Sequence, residues 1–269
     1  MNRIDKKFQE LRQQGVCAFM PYVCAGDPTP ELTPELFLTL EEAGADLIEF
    51  GVPFSDPIAD GPTIQRASQR ALEHRITLIQ ILDIVKKLRQ HTEIPIALMS
   101  YYNPIFRMGE ETFCKAAQEV GVDGLIVPDL PPEEAQPLLK VASECNLATI
   151  FLVAPTSSPE RMQLVASVST GFIYCVAVTG VTGARKTLSD EVAPMIEELR
   201  KHTDKPICVG FGISTPDQAN QVAQVADGAI VASAIINVAE KYMDDKDKML
   251  SAVKQFGSEL ANGTKTDKV

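Results

Sequence analysis

Short apolar segments alternate with longer amphipathic segments along the whole chain. Eight of the apolar segments are rich in Val, Ile and Phe, and a helical spacing of apolar positions follows each one after a polar or Gly/Pro-rich connection. They lie at 18–24, 46–50, 94–99, 124–127, 148–153, 171–176, 206–210 and 228–231. This alternation is typical of βα units that build a parallel sheet. Eight such units predict an α/β fold, the (β/α)8 TIM barrel.

Three of the predicted strands follow similar sequences. These are AGADLIEFG at 43–51, VGVDGLIVPD at 120–129 and VADGAIVAS at 225–233. Repeated use of one helix-turn-strand arrangement favours a ring of equivalent units. An open, doubly wound sheet is the structural alternative, but no G-x-G-x-x-G motif follows the first apolar segment.

No Ser/Gly-rich linker or shift in composition divides the chain. We therefore predict one TIM-barrel domain over residues 1–261 and a disordered C-terminal tail over 262–269. The charged N-terminal sequence has a helical pattern, and we expect residues 4–14 to form an extra helix that caps the N-terminal end of the barrel.

Charge and cysteine content narrow the class of protein. Lys and Arg number 25 against 36 Asp and Glu, for a formal net charge of −11, which disfavours binding to a nucleic-acid backbone. The six cysteines include no C-x-x-C pair, as expected for reduced thiols of a cytosolic protein. Neither a secretory signal nor an apolar run of membrane-spanning length is present. We expect a soluble, cytoplasmic protein without a membrane partner.

Two acidic residues lie where a TIM barrel places its chemistry, at the C-terminal ends of strands and in the loops after them. Glu49 falls inside the second apolar segment, where an isolated carboxylate is costly to bury. It is either one half of a buried ion pair or a general acid and base with a raised pKa. Asp60 lies in the Pro-, Asp- and Gly-rich stretch that follows, which predicts a long, shaped loop. Taken alone, an Asp before Gly-Pro more often serves a turn.

The three last predicted loops carry a signal for phosphate binding. VTGVTGARKTLSD follows the sixth apolar segment, GFGIS the seventh, and ASAI opens a helix after the eighth. Glycines allow backbone N–H groups to approach an anion, and a helix N-terminus adds a positive dipole. Phosphate sites recur at this position of TIM barrels. The sequence therefore predicts a phosphorylated ligand.

The sequence lacks the residues that a zinc site or a Schiff-base mechanism would need. No His, Cys and Asp cluster has zinc-ligand spacing, and none of the eight apolar segments contains the Lys that a Schiff-base aldolase needs. A phosphorylated substrate and carboxylates acting as acid and base remain, with no metal site.

The string LIEFGVPFSDPIADGPTIQ, at 47–65, resembles the signature segment of the tryptophan synthase alpha subunit family. YYNPI, VPDLP, GVTGAR and GFGIS follow in the order that the family uses, and the resemblance covers essentially the whole chain. It implies a lyase of tryptophan biosynthesis that splits indole-3-glycerol phosphate into indole and glyceraldehyde 3-phosphate. The family reaction is a retro-aldol cleavage that uses no metal.

The resemblance also implies roles for individual residues. Glu49 would serve as the acid-base residue at indole C3 and the glycerol hydroxyl, and Asp60 would accept or stabilise the indole N–H proton. The implied substrate contacts are Tyr22, Tyr174, Thr182 and Phe211. The implied phosphate contacts are Gly183, Gly212, Ala232 and Ser233. Ala232 departs from the family, in which Gly is commoner, so its φ must suit an L-residue. Gly180 and Gly183 would be the hinges of a lid.

A partner is implied in the same way. Asp56, Asn103, Pro104 and Asp129 correspond to the surface that faces the beta subunit in an αββα assembly. Indole would pass to that partner, which would carry pyridoxal phosphate, so that no cofactor belongs to this chain. Two alternatives remain open, namely a standalone lyase that releases free indole and a non-catalytic barrel that only activates or supports a partner.

Overall fold

The computed structural model describes residues 1–176, 188–210 and 212–266, and among these the side chains of 188–191 are left out. The predicted strands are all present in this part of the chain. They are β1 Ala18–Cys24, β2 Ile48–Gly51, β3 Ile96–Met99, β4 Gly124–Ile126, β5 Ala148–Ile150, β6 Leu152–Val153, β7 Ile173–Val176, β8 Ile207–Gly210 and β9 Gly228–Val231.

Helices alternate with these strands as the apolar pattern predicts. They are α1 Arg3–Gln14, α2 Thr33–Glu42, α3 Pro62–Glu73, α4 Leu78–Leu88, α5 Tyr102–Met108, α6 Glu110–Val120, α7 Gln136–Glu144, α8 Pro159–Val168, α9 Leu188–Arg200, α10 Pro216–Ala223, α11 Ser233–Lys241 and α12 Lys246–Thr264.

The strands form one parallel sheet in the order β5-β4-β3-β2-β1-β9-β8-β7-β6. The two outermost strands of this order, β5 and β6, are halves of the fifth predicted strand and are separated in the chain only by Phe151. The Phe151 carbonyl accepts a hydrogen bond from the Tyr174 N–H at 3.1 Å. The sheet therefore curls into a nearly closed barrel, which confirms the predicted TIM-barrel class.

The barrel interior is filled by apolar side chains and is covered by α1 at its N-terminal end. Ile4, Phe8 and Leu11 of α1 are buried in the same cluster as interior side chains such as Met20 and Leu47. Asn2 begins the helix, because its Oδ1 accepts the Ile4 N–H at 2.8 Å. Its Nδ2 donates to the carbonyls of Asp123 and Asn146, at 2.7 Å each. The predicted capping helix is confirmed.

Every second strand of the barrel is attached to the strand before it by the same pair of hydrogen bonds, here called a clasp. In each clasp, a residue just ahead of the later strand pairs with one residue near the start of the earlier strand. The first residue donates its backbone N–H to the carbonyl of the second, and its side-chain oxygen accepts the N–H of the second. The four pairs are Asp46 with Phe19, Asp123 with Ile96, Thr170 with Thr149, and Asp227 with Ile207, with every bond between 2.8 and 3.0 Å.

Three of the clasps use the Asp of the three similar sequences at 43–51, 120–129 and 225–233. Each of these carboxylates also pairs with a cation, namely Lys265 for Asp46, Arg89 and Arg3 for Asp123, and Arg200 for Asp227. The fourth clasp uses Thr170, which needs no cation. The three sequences are therefore similar for a physical reason: the Asp of each one sets the register of two neighbouring strands at the N-terminal end of the barrel.

The predicted start of the C-terminal tail, at 262, is wrong. Helix α12 continues to Thr264, and Leu260 and Thr264 are fully buried. The Lys265 Nζ donates to the Cys17 carbonyl at 3.1 Å. The polar composition of the last residues suggested a tail, but packing of α12 against α2 and α10 keeps the helix formed.

Candidate active site

Glu49 lies on β2 and points into the barrel. Its chain neighbours Ile48 and Phe50 belong to the core between sheet and helices, and side chains alternate between the two faces of a strand. Glu49 is 2% exposed, and among the described residues its Oε2 has no hydrogen-bond partner. No ion pair to Glu49 is formed within the described part of the chain, so the ion-pair alternative finds no support there.

Burial and a second acid keep Glu49 protonated at neutral pH. Loss of hydration is the main cause and the charge of Asp60 the lesser one, and together they raise the pKa of Glu49 to about 8. A group with a pKa close to the working pH can both give and take a proton. Glu49 therefore has the property that a general acid and base needs.

Asp60 lies in the loop between β2 and α3. Its carbonyl accepts a hydrogen bond from Gln65 Nε2 at 2.8 Å. Burial raises the pKa of Asp60, and a hydrogen bond between its carboxyl and the Tyr101 hydroxyl opposes that rise. Among the described residues Glu49 has no such hydrogen bond, so the environments of the two acids differ in a way that favours a proton on Glu49 and a negative charge on Asp60.

Tyr101 is a residue of this site that sequence reasoning missed. Besides its hydrogen bond to Asp60, its hydroxyl accepts the Ala59 N–H at 2.9 Å. Its ring stacks on Phe54, with centroids 4.9 Å apart and an interplanar angle of 24°. Tyr101 thus contacts the loop that carries Asp60 near both ends of that loop, at Phe54 and at Ala59. The available signal was its place in YYNPI, directly after the third predicted strand.

Tyr22 and Tyr174 lie beside the two acids. Each ring rests against a glycine of the neighbouring strand, Tyr22 on Gly51 and Tyr174 on Gly210, and a Cβ atom at either glycine would collide with the phenol. Burial is the main reason that the pKa of each tyrosine is raised, and the charges of Glu49 and Asp60 raise both further. The structure therefore brings all four predicted groups together at the C-terminal ends of the strands.

The described part of the predicted phosphate site follows β8 and β9, which are neighbours in the barrel. Gly212 has a positive φ of 82°. Ala232 precedes the first residue of α11, Ser233, with a φ of −109° and a ψ of −78°. This φ lies outside the left-handed region, so the alanine fits where many relatives of the implied family have glycine. The predicted residues Thr182, Gly183 and Phe211, and the hinge Gly180, lie outside the described residues.

The residues predicted to face a partner follow β2, β3 and β4. Asp56 and Asp129 lie on loops, and Asn103 and Pro104 lie in the first turn of α5. Asp56, Asn103 and Asp129 are exposed, and Pro104 is partly exposed. The Asp129 carboxylate accepts the Tyr102 N–H at 2.8 Å. Two apolar side chains that sequence reasoning did not single out are also exposed in these segments, Ile58 at 84% on the loop after β2 and Phe106 at 64% on α5.

The described part of the chain offers neither a metal site nor a membrane-spanning helix. No group of three or more His, Cys, Asp or Glu side chains there has the arrangement of a metal site. No helix in the same part of the chain is long and apolar enough to cross a membrane.

A parallel barrel with a proton-bearing carboxyl next to a second acid, at the C-terminal ends of its strands, defines a TIM-barrel enzyme that works by acid-base chemistry. A family model described as tryptophan synthase alpha chain matches residues 8–265. The chain belongs to this family, which confirms the resemblance seen in the sequence and the predicted lyase class.

Individual relatives agree over nearly their full length. The tryptophan synthase alpha chain of Geobacter sp. (strain M21) is 50% identical over 263 residues, which cover 98% of each chain. That of Thermoanaerobacter sp. (strain X514) is 46% identical over 261 residues, 97% of this chain and 98% of the relative.

Solved structures give the same result. The structure of tryptophan synthase subunit alpha from Legionella pneumophila str. Paris superposes with a TM-score of 0.90 at 40% identity, covering 98% of both chains. A structure of Mycobacterium tuberculosis tryptophan synthase superposes with a TM-score of 0.89 at 35% identity, covering 98% of this chain and 99% of that one. A standalone lyase is therefore not the favoured alternative.

Proposed function

We propose that this chain cleaves indole-3-glycerol phosphate with Glu49 as the acid-base residue and Asp60 as the group that receives the indole N–H proton. The observation that carries the proposal is the environment of Glu49. It is a buried carboxyl without a hydrogen-bond partner at Oε2 among the described residues, and its pKa is raised to about 8 next to a second acid. One acid can therefore begin the reaction protonated while the other begins it ionised.

In the first step the protonated Glu49 gives its proton to indole C3, and the indole N–H proton moves to the Asp60 carboxylate. The ring becomes an indolenine whose C=N bond can accept electrons. Asp60 faces a proton that becomes more acidic as C3 is protonated, so this contact stabilises the transition state more than the bound substrate.

In the second step the Glu49 carboxylate takes the proton of the glycerol hydroxyl. The bond between C3 and the glycerol carbon breaks as the aldehyde forms, and its electrons restore the indole ring, whose nitrogen recovers the proton from Asp60. The products are indole and glyceraldehyde 3-phosphate. Both carboxyls end in the protonation states in which they began, so no further proton donor is required.

The remaining residues bind and orient the substrate. Tyr22 and Tyr174 offer flat, buried surfaces next to both acids, which suits an aromatic ring. Backbone N–H groups at Gly212 and at the start of α11 suit the phosphate. Thr182, Gly183 and Phe211 are proposed to complete the site, with residues around Gly180 and Gly183 acting as a lid that excludes water.

We further propose a beta-subunit partner in an αββα assembly, bound at the face that carries Asp56, Asn103, Pro104 and Asp129. Exposed Ile58, on the loop after β2, and exposed Phe106, on α5, support an interface there. Pyridoxal phosphate would belong to the partner, and no cofactor is proposed for this chain.

The test is an assay of indole release from indole-3-glycerol phosphate, with and without a beta subunit. We expect slow release by the chain alone and strong activation by the partner. Cleavage that is fast and unaffected by a beta subunit would favour the standalone lyase. The absence of cleavage under both conditions would contradict the proposed activity and leave a non-catalytic role.

A further inference from the structure

A group of four charged side chains ties three structural elements together beside the site. Asp27 is buried in the turn after β1, and its two oxygens accept hydrogen bonds from Nε and Nη2 of Arg70 at 2.7 and 3.0 Å. The third nitrogen of the same guanidinium, Nη1, donates to Glu240 at 2.9 Å. Glu240 also accepts two bonds from Arg66, at 3.1 and 2.9 Å.

The elements that Arg70 joins are the ones that carry the two ends of the proposed substrate site. Arg70 lies on α3, which begins two residues after Asp60, and Glu240 lies on α11, which begins at Ser233. With a rise of about 1.5 Å per residue, the backbones of Arg70 and Glu240 lie roughly 10–12 Å along their helices from the N-termini. Helices of this length act as stiff rods that pack against each other, so a tie between Arg70 and Glu240 limits how far their first residues can move apart.

Beneath Arg70, helix α3 packs closely against the turn after β1. Gly26, in the turn with Asp27, has a φ of +92°, and a Cβ atom there would lie 3.1 Å from the Ala71 side chain. Helix α3 therefore rests directly on the backbone of the turn. A planar guanidinium can satisfy a carboxylate with two bonds and still reach a second acid, whereas a lysine ammonium is a single point charge.

We infer that Arg70 is a positioning residue that sets the distance between the Asp60 carboxylate and the phosphate-binding start of α11. It touches no reacting atom in this scheme and acts through the two helices. The inference rests on the proposed function, because the substrate must span both ends. Loss of the guanidinium fork removes the tie to the turn after β1 and leaves only the more exposed Arg66–Glu240 pair between the helices. The two ends can then shift apart, which harms a substrate that spans them and spares an anion that uses only one.

The experiment compares Arg70→Gln with Arg3→Gln. Arg3 is a matched control, since it also bridges two acids, Glu93 at 2.7 Å and Asp123 at 3.1 Å, but at the opposite end of the barrel. Steady-state cleavage of indole-3-glycerol phosphate, binding of inorganic phosphate by calorimetry, and Tm are measured for both variants and for the unmodified chain.

For Arg70→Gln we expect kcat/KM to fall at least tenfold while the Kd for inorganic phosphate changes less than twofold. Arg70→Lys should recover part of the loss. Arg3→Gln should lower Tm but leave both constants within twofold. If Arg70→Gln fails to fold, Glu240→Gln keeps the pair of Arg70 with Asp27, and we expect at least a threefold fall in kcat/KM with the same unchanged phosphate binding.

Two results would overturn the inference. One is unchanged kinetics with only a lower Tm, which is the mark of a purely structural ion pair. The other is a parallel loss of phosphate affinity, which would place the defect at α11 alone. Failure of the unmodified chain to cleave the substrate would instead contradict the proposed function, so the two failures are distinguishable.

Discussion

The proposed chemistry depends on the different environments of two carboxyl groups, those of Glu49 and Asp60. Glu49 is buried and lies near the charge of Asp60, whereas Asp60 is partly exposed and receives a hydrogen bond from Tyr101. The sequence could predict that Glu49 is unusual, because it interrupts an apolar strand. Tyr101 was missed although it directly follows the third predicted strand, because the sequence does not show that its ring and hydroxyl contact the loop after β2.

The raised pKa of Glu49 predicts how cleavage depends on pH. If protonated Glu49 begins the reaction, kcat/KM should fall above about pH 8, by about tenfold for each further unit, because the acid form is then titrated away. The measurement is indole release at constant ionic strength between pH 6 and 10. A rate that stays level up to pH 10 would show that the reaction does not need a proton on this carboxyl.

Removing the Tyr101 hydroxyl should weaken catalysis without disrupting the fold. Tyr101→Phe keeps the stacking on Phe54 and deletes the bonds to Asp60 and to the Ala59 N–H. A hydrogen bond to a charged group contributes about 1.5–3 kcal/mol, so we expect kcat to fall by about 10- to 100-fold. The pKa of Asp60 should rise, moving the acidic limb of the pH profile to higher pH.

Tyr102→Phe is the matched control, since the Tyr102 hydroxyl donates to Glu110 at 2.8 Å instead of contacting Asp60. Its kinetics without a partner should resemble those of the unmodified chain. Equal effects of the two substitutions would argue against a specific role for Tyr101.

At the scale of elements, the clasps explain why part of the fold is readable in the sequence. Asp46, Asp123 and Asp227 recur at equivalent positions because each registers one strand against its neighbour. The fourth clasp was not recognised, since Thr170 provides the same acceptor with a different residue type. The break at Phe151 was also not predicted, because it reflects barrel curvature, to which no local pattern corresponds.

The clasps predict graded losses of stability. Asp46→Ala leaves the Phe19 N–H without its acceptor and should lower the free energy of unfolding by about 1–3 kcal/mol. Asp123→Ala also deprives the largely buried Arg89 of its carboxylate, and we expect about 3–5 kcal/mol. Urea unfolding gives both values. Equal, small losses of unfolding free energy in the two variants would contradict the predicted order. Below the unfolding transition, kcat should stay within twofold in both, because both clasps lie at the end of the barrel away from the active site.

At the scale of the whole molecule, the barrel and the place of its active end could be predicted from the chain alone. The alternation of apolar and amphipathic segments predicts the barrel and the location of its active end, because every βα unit of this fold repeats that alternation. The end of α12 could not be read correctly, since its last residues are polar and their burial depends on helices distant in sequence. The exposed Ile58 and Phe106 were missed for the same reason, as only the folded chain shows which apolar residues stay uncovered.

The proposed partner face predicts a selective effect on activation. Phe106→Ser should reduce the stimulation by a beta subunit several-fold while leaving the activity of the chain alone unchanged, because an interface loses most when a buried aromatic anchor is removed. Ile79 on α4 is similarly exposed, at 62%, and lies outside the proposed face. Ile79→Ser is therefore the control. If both variants are stimulated as strongly as the unmodified chain, Phe106 is not part of the interface.

The role of Glu49 as the proton donor is tested most sharply by the turnover of Glu49→Gln. The amide preserves the shape of the side chain and removes its titrating proton. We expect no measurable release of indole from indole-3-glycerol phosphate. The Kd for the same compound, measured by calorimetry, should stay within a few-fold of its value for the unmodified chain. Indole release at a rate close to that of the unmodified chain would show that the proton comes from another group and would contradict the mechanism.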